Sequence, residues 1–357
     1  MKPTVLFVSP VDYNALKQRH QGLACEIANF GCKVIYLNPI RSGGLSLVSK
    51  QSEGLTVVDV KIPIKASAYP FIHFFCVKMA LRMLLKKLNL KPSECVLWLA
   101  DPACAAMTGF KWKWQLYDCC DLHGAFPGQK EKAWRIYENF IVSNVDLITV
   151  SHPYLAEHLK SNFNNKIVLM PNATSLSIGL ITECVKNTKN KKLSVVKAVS
   201  SGAHFEWVDT DWLLMLSKIP GFELHIAGTG RGKGFEELIK QKSVVYHGKL
   251  SQQELAKLLA ECHVGLLPFK DIELIKGVDP IKIYDYAALG LAIWSPKLNS
   301  LSDNKLITGF IGDSAVAEKA VQNLIVEPSG AELNTNAVVT WRQRLKESGI
   351  LQFIETF

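Results

Sequence analysis

The chain has 357 residues, of which 48% are hydrophobic. That is more than one typical core accommodates and calls for two domains. Nine cysteines without a CxxC pair exclude a disulfide framework and a zinc ribbon, and a formal charge of +9 calls for an anionic partner. The opening MKPTVLFVSP is too short for a signal core, no uncharged apolar run is long enough to span a bilayer, and a cytoplasmic protein is expected.

The run TVLFVS (4–9) is continuously apolar, the mark of a strand buried on both faces of a parallel sheet. Helical periodicity follows over 15–30, closed by Gly31, and KVIYLN (33–38) reads as the next strand. This β-loop-α-β opening starts a doubly wound α/β domain. Its first loop lacks GxGxxG, which argues against a dinucleotide enzyme, and instead holds Asp12 and, just beyond, Arg19. In this architecture ligands bind at the carboxyl ends of strands, so both are candidate ligand contacts.

The stretch YPFIHFFCVKMALRMLLKKLNL (69–90) joins aromatic and aliphatic bulk to a basic stripe of Lys78, Arg82 and Lys86, four residues apart. That is the pattern of an interfacial helix touching an anionic membrane, and also of a core helix with a solvated edge. CVLWLA (95–100) and a strand ending near Tyr117 follow. The second leads into Asp118, Asp121 and His123, where a carboxylate is placed to act as a general base on a hydroxyl. VDLITV (145–150) and KIVLM (166–170) add two more strands.

Polar, lysine-rich residues at 182–192 read as a linker. The β/α alternation then restarts. SVVKAVSSG ends in Gly202, with His204 two residues on, and FELHIAGTG ends in Gly230 and Arg231, a glycine turn beside a guanidinium suited to phosphate. VVYHG and HVGLLPF are further strands. KGVDPIKIYDYAALGLAIWSP (276–296) reads as a loop, a short helix carrying Lys282, Tyr284 and Asp285, a Gly290 stop and a strand. Backbone amides at such a helix start suit an anion, with Lys282 for phosphate and Asp285 for ribose hydroxyls.

Taken together, YDCCDLHGAF, SNVDLITVSHPYLAEHL, LMPNA, FELHIAGTGR, HVGLLPF, DPIKIYDYAALGLAIW and AVVTWRQRL resemble the GT-B glycosyltransferases, both the family 4 group and the bacterial exopolysaccharide enzymes. The resemblance runs over nearly the whole chain. It implies an α/β fold of two Rossmann-like domains with parallel sheets facing a central cleft. The expected organisation is an acceptor domain at 1–180, a linker at 181–192, a nucleotide-sugar domain at 193–338 and a terminal helix at 339–357 crossing back to the first domain. It implies transfer of a sugar from a nucleotide diphosphate, expected to be UDP, to a hydroxyl of a lipid-linked or polysaccharide acceptor. Neither metal nor cofactor is implied, nor a nucleic-acid partner.

On the donor side the resemblance points to Gly202, His204, Gly230, Arg231, Lys282, Tyr284 and Asp285, and on the acceptor side to Asp12 and Arg19. The xanthan-type glucuronosyltransferases within the group point to Asp121 as base in an inverting reaction, with His123 beside it. Three positions depart from the family pattern: Gly277 stands where a first Glu is usual, Asp285 where a second Glu is usual, and Ala173 where a Gly is usual. A nucleotide-sugar epimerase of the same fold and a non-catalytic sugar-nucleotide binder are the alternatives.

Overall fold

The apolar runs form the central strands of two sheets. In the computed structural model, which describes residues 2–43, 46–52, 54–63, 69–160, 167–186, 194–326 and 338–357, the strands are β1 (Thr4–Val8), β2 (Lys33–Leu37), β3 (Arg41–Ser42), β4 (Ser46–Ser52), β5 (Leu55–Ile62), β6 (Cys95–Leu99), β7 (Trp114–Cys119), β8 (Leu147–Val150), β9 (Ile167–Leu169), β10 (Val196–His204), β11 (Phe222–Gly230), β12 (Val244–Gly248), β13 (Val264–Leu266), β14 (Ala292–Ser295) and β15 (Gly309–Phe310). Two compact units result. One comprises Met1–Asn172, Gly277–Asp279 and Trp341–Phe357; the other comprises Ala173–Lys276 and Pro280–Thr340.

In the first unit the strand order is β3-β5-β2-β1-β6-β7-β8-β9, parallel throughout, with β4 antiparallel on β5. The order reverses at β1, the topological switch point of doubly wound sheets. Phe7 stacks between Tyr36 and Trp98, at centroid distances of 5.6 and 5.3 Å, so three neighbouring strands share one aromatic layer. The second sheet, β12-β11-β10-β13-β14-β15, is all parallel. One of its faces buries Val196, Ala198, Leu224 and Ile226 against Trp212, Leu213, Leu216 and Phe235. Burial on both faces is why these strands read as unbroken apolar runs.

The first helix starts at Arg19, later than the periodicity from 15 suggests. The turns before it are held by Asn38, whose Oδ1 accepts from the Tyr13 amide, and by Asp12, whose Oδ1 accepts from the Asn14 amide. Gln18 and Gln21 then form the capping box that starts the helix. The expected linker at 181–192 begins inside the helix Ile178–Lys186, which buries Ile181 and Cys184; residues 187–193 lie outside the described residues. The closing segment forms two short helices, Trp341–Glu347 and Ile350–Glu355, whose Trp341 ring lies over Gly22 of the first helix.

Candidate functional site

The second unit gathers several of the expected donor residues at the carboxyl ends of β10 and β11. Gly202 and Gly228 sit opposite each other in register, with φ of +108° and +129°. A Cβ on Gly228 would lie 1.9 Å from the Gly202 carbonyl oxygen, so the two backbones approach as only glycine permits. Lys282, from the helix Ile281–Ala288, reaches this point. Its Nζ would be 3.6 Å from a Cβ on Gly202, and it lies 5.2 Å from the centroid of the Phe269 ring. Burial alone pulls the Lys282 pKa down to about 8, and no carboxylate among the described residues offsets that. The ammonium is still protonated at neutral pH. A desolvated cation held against a side-chain-free stretch of backbone can meet an anion.

Neighbouring groups fix this corner. His204 bonds the Ser200 hydroxyl through Nε2 at 2.8 Å, and burial, with Lys282 nearby, pulls its pKa down to about 3, so it stays neutral beside the lysine. The Tyr286 hydroxyl meets the Ser201 amide and hydroxyl at 3.1 and 2.9 Å, clamping the end of β10 to the lysine's helix. Tyr286, next to Asp285 on this helix, was not among the expected donor contacts. Its signal is Gly265 on β13, where a Cβ would sit 2.2 Å from the tyrosine ring. Tyr284 is buried on the same helix.

Two expected donor contacts have other commitments. Arg231 pairs with Glu206 through Nε at 3.0 Å and Nη2 at 3.1 Å and stacks on Phe205, while Gly230 gives room to the Phe235 ring. Asp285, expected on ribose, is buried and fastened to the start of its own unit. Its Oδ1 accepts from the Thr174 hydroxyl at 2.8 Å and the Ser175 amide at 2.7 Å, and its Oδ2 from the Ser175 hydroxyl at 2.8 Å. Burial pushes its pKa up to about 6 despite these donors.

In the first unit, β7 delivers Asp118 and then Asp121. Asp118 is an internal brace. It takes Arg19 Nε and Nη2 at 2.9 and 2.6 Å and the Thr149 hydroxyl at 2.6 Å. Burial raises its pKa, and the guanidinium outweighs that, holding it below the ordinary value. Arg19 spends its remaining nitrogen on the Met170 carbonyl and Asn172 Oδ1, at 2.9 and 3.0 Å. With all its nitrogens engaged and its side chain buried, Arg19 joins parts of the fold, and the acceptor role expected for it does not fit this geometry. Asp12 is paired with Arg41 at 2.6 Å.

Asp121 differs from Asp118. It is half-buried and makes no ion pair among the described residues, and burial pushes its pKa up to about 6 despite the Cys120 thiol and the nearby charge of Arg19. The nearest polar contact of its carboxylate is the Cys120 thiol at 3.7 Å, which in turn lies 3.6 Å from His20 Nε2. His123 stacks on Trp134 at 5.6 Å, burial pulls its pKa down to about 4, and its buried Nε2 has no hydrogen-bond partner among the described residues. His20 Nδ1 is likewise without one, and its pKa is pulled down to about 3 by burial. Buried imidazole nitrogens without a partner call for an explanation, and a polar ligand would supply one. His20 went unselected in the sequence because its neighbour in space, Cys120, lies a hundred residues away.

Gly277, where the family pattern has Glu, belongs to this first unit. A Cβ there would stand 2.7 Å from Leu155 and 3.5 Å from Leu122, so an apolar wall occupies the space a carboxylate would need. Among the described residues there is no group of three His, Cys, Asp or Glu placed to hold a metal.

Solved structures of similar architecture cover essentially the whole chain. Sucrose-phosphate synthase from Thermosynechococcus elongatus matches with a TM-score of 0.70 at 13% identity, over 100% of this chain and 98% of that one. The UDP-forming alpha,alpha-trehalose-phosphate synthase from Burkholderia vietnamiensis matches with a TM-score of 0.67 at 12% identity, over all of both chains. An E. coli structure described as trehalose-6-phosphate bound with UDP-2-fluoro glucose matches with a TM-score of 0.63 at 12% identity, over 99% and 98%. This chain has the GT-B fold. No family model matches it. Among curated proteins, this GT-B chain is similar to "Putative teichuronic acid biosynthesis glycosyltransferase TuaH" of Bacillus subtilis (strain 168), at 20% identity over 230 residues. That alignment spans 58% of this chain and 57% of the relative.

Proposed function

We propose that this chain is a glycosyltransferase. It transfers a sugar from a nucleoside diphosphate donor, UDP being the expected nucleotide, to a hydroxyl of a glycan or lipid-linked acceptor in bacterial surface-polysaccharide synthesis. The observation that carries the reading is Lys282: a protonated, desolvated amine without a carboxylate partner among the described residues, at the glycine-lined ends of β10 and β11. The GT-B fold and the distant similarity to the "Putative teichuronic acid biosynthesis glycosyltransferase TuaH" support it.

In this reading Asp121 takes the proton from the acceptor hydroxyl, the oxygen attacks the anomeric carbon, and the bond to the diphosphate breaks. Lys282 meets the charge that builds on the departing diphosphate, which is electrostatic stabilisation by a preorganised group. A carboxylate with a pKa near 6 is a stronger base than an ordinary aspartate and is still ionised at neutral pH. His123, neutral and with an open nitrogen, orients the acceptor or the sugar by hydrogen bonding. Direct attack of this kind inverts the anomeric configuration, as the xanthan-type resemblance implies. No metal or cofactor has a step in the scheme.

A thermal-shift screen with nucleoside diphosphates and their sugars tests the donor site. A ligand at about 100 times its Kd adds about 2.7 kcal/mol of stability. Lys282→Met should weaken nucleoside diphosphate binding about 10- to 100-fold, the cost of losing a charged hydrogen bond. The reading falls if no nucleoside diphosphate shifts the unfolding temperature. Donor turnover without any acceptor would instead indicate the epimerase alternative.

A further inference from the structure

The solvent-facing side of the helix Pro70–Lys87 is apolar where a surface helix is ordinarily polar. Phe71, Phe75 and Ile72 are 80%, 63% and 49% exposed, and Met79 and Met83 38% each. At about 100° per residue these five side chains fall within one sector. The opposite sector, His73, Val77, Ala80, Leu81 and Leu84, is buried in the first unit. Tyr69, just before the helix, is 62% exposed. Six of the eighteen exposed large apolar residues among the described ones therefore lie within fifteen positions, a concentration that scattered surface hydrophobes do not show.

The charge on this helix has one sign. Its sequence, PFIHFFCVKMALRMLLKK, contains no acidic residue. Arg82 and Lys86 lie in the exposed sector with the aromatics, and neither meets a carboxylate among the described residues; Arg82 Nη1 contacts the Met79 sulfur at 3.7 Å. The sequence stripe of Lys78, Arg82 and Lys86 divides in the structure. Lys78 lies on the flank, half-buried, with its amine 5.6 Å from the Phe74 ring. Lys87 is used internally, donating to the Leu47 carbonyl at 2.9 Å. The exposed sector is thus aromatic and aliphatic over its first turns and basic toward its end. Among the described residues no helix is long and apolar enough to cross a membrane.

We infer that this face is a docking surface for an anionic lipid bilayer, with Phe71, Ile72 and Phe75 seated among the acyl chains and Arg82 and Lys86 among the lipid phosphates. Apolar bulk with basic residues beside it, and no acid to repel anionic headgroups, fits a bilayer interface. A partner protein would need its own acidic and apolar match to the same strip. The surface brings the chain to membrane-borne substrates, but docking itself requires no sugar transfer, so the two readings stand or fall separately.

The test is co-sedimentation of the full chain with vesicles of phosphatidylcholine, alone or doped with phosphatidylglycerol. Wild type should bind the doped vesicles and lose binding as salt rises. Arg82→Glu with Lys86→Glu should lower partitioning by at least about thirtyfold, from the loss of two basic residues at an anionic surface. Phe71→Ser with Phe75→Ser should lower it on doped vesicles and leave the salt dependence of the remainder intact. Lys78→Glu should do least. All these side chains except Lys78 are exposed, and a circular-dichroism melt checks that each variant is folded. Equal vesicle binding by the Phe71/Phe75 variant overturns the inference. So does a wild-type dimer that this variant dissociates in lipid-free buffer, since the occupant would then be a second copy of the chain.

Discussion

At the scale of single residues, two aspartates three positions apart have opposite electrostatic settings. Asp118 is held as a carboxylate by Arg19 and Thr149, whereas Asp121 is desolvated and makes no ion pair among the described residues. Only the second suits proton transfer near neutral pH. Asp121→Asn should reduce kcat by about 10²- to 10⁴-fold with little change in nucleotide binding. In wild type, kcat/KM should fall as pH drops through about 6, where the base becomes protonated. An unchanged rate in Asp121→Asn would remove it from the mechanism.

Asp285 permits a second residue-scale prediction. Its folded pKa of about 6 lies above the unfolded value of about 3.9, so between those values the folded chain binds the extra proton. Its contribution to stability is therefore fully present below about pH 4 and is lost as pH rises through 6. Urea titrations of wild type and Asp285→Asn should show wild type gaining on the variant as pH falls from 6 to 4. The carboxylate's visible partners are Thr174 and Ser175, so 2′-deoxyuridine diphosphate should bind nearly as well as UDP unless ribose displaces those donors. Sequence pattern put Asp285 on the right helix, but partners more than a hundred positions away cannot be read from local spacing. The same applies to Arg19, whose candidacy rested on its loop and whose actual partner, Asp118, is far along the chain. It applies again to Arg231, which Glu206 claims.

At the scale of elements, the buried parallel strands were legible because burial on both faces leaves a continuous apolar run. The expected strands at 222–230 and 244–248 match β11 and β12 in full. Elements held by side-chain bonding rather than periodicity were not. The first helix starts four residues late because Gln18 and Gln21 cap it, and the polar stretch up to residue 186 is helical because Ile181 and Cys184 find a buried face. The loop-bearing ends of β10 and β11 were legible through their glycines, though what the structure shows there is a close approach of two paired backbones. Gly228→Ala should therefore destabilise the second unit by more than the 0.4–1 kcal/mol scale of an unstrained Gly→Ala change, in the opposite direction. Chemical denaturation would detect it; a variant as stable as wild type would mean that the backbone pair relaxes freely.

At the scale of the whole molecule, each unit has its own doubly wound sheet and its own core, and the first is completed by residues from the end of the chain. That completion is specific. A Cβ on Gly22 would lie 2.4 Å from the Trp341 ring, Trp114 meets Phe353 at 4.5 Å, and Arg344 Nε donates to the Asn172 carbonyl at 3.0 Å. Glycine at position 22 thus reads as a socket for an indole, a relation no window of local sequence contains. Trp341→Ala removes a 93%-buried ring from that socket, which should cost about 3–5 kcal/mol in the first unit. Hydrogen exchange separates this from a general loss of stability. Amides of the helix Arg19–Asn29 should lose protection, while those of β10 and β11, whose bonds lie within the second unit, keep theirs. A saturating nucleoside diphosphate should raise protection at the ends of β10 and β11 in wild type and in Trp341→Ala alike, because Gly202, Gly228 and Lys282 all belong to that unit. Loss of the ligand's effect in the variant would show that the donor site depends on the terminal helices as well as on its own sheet.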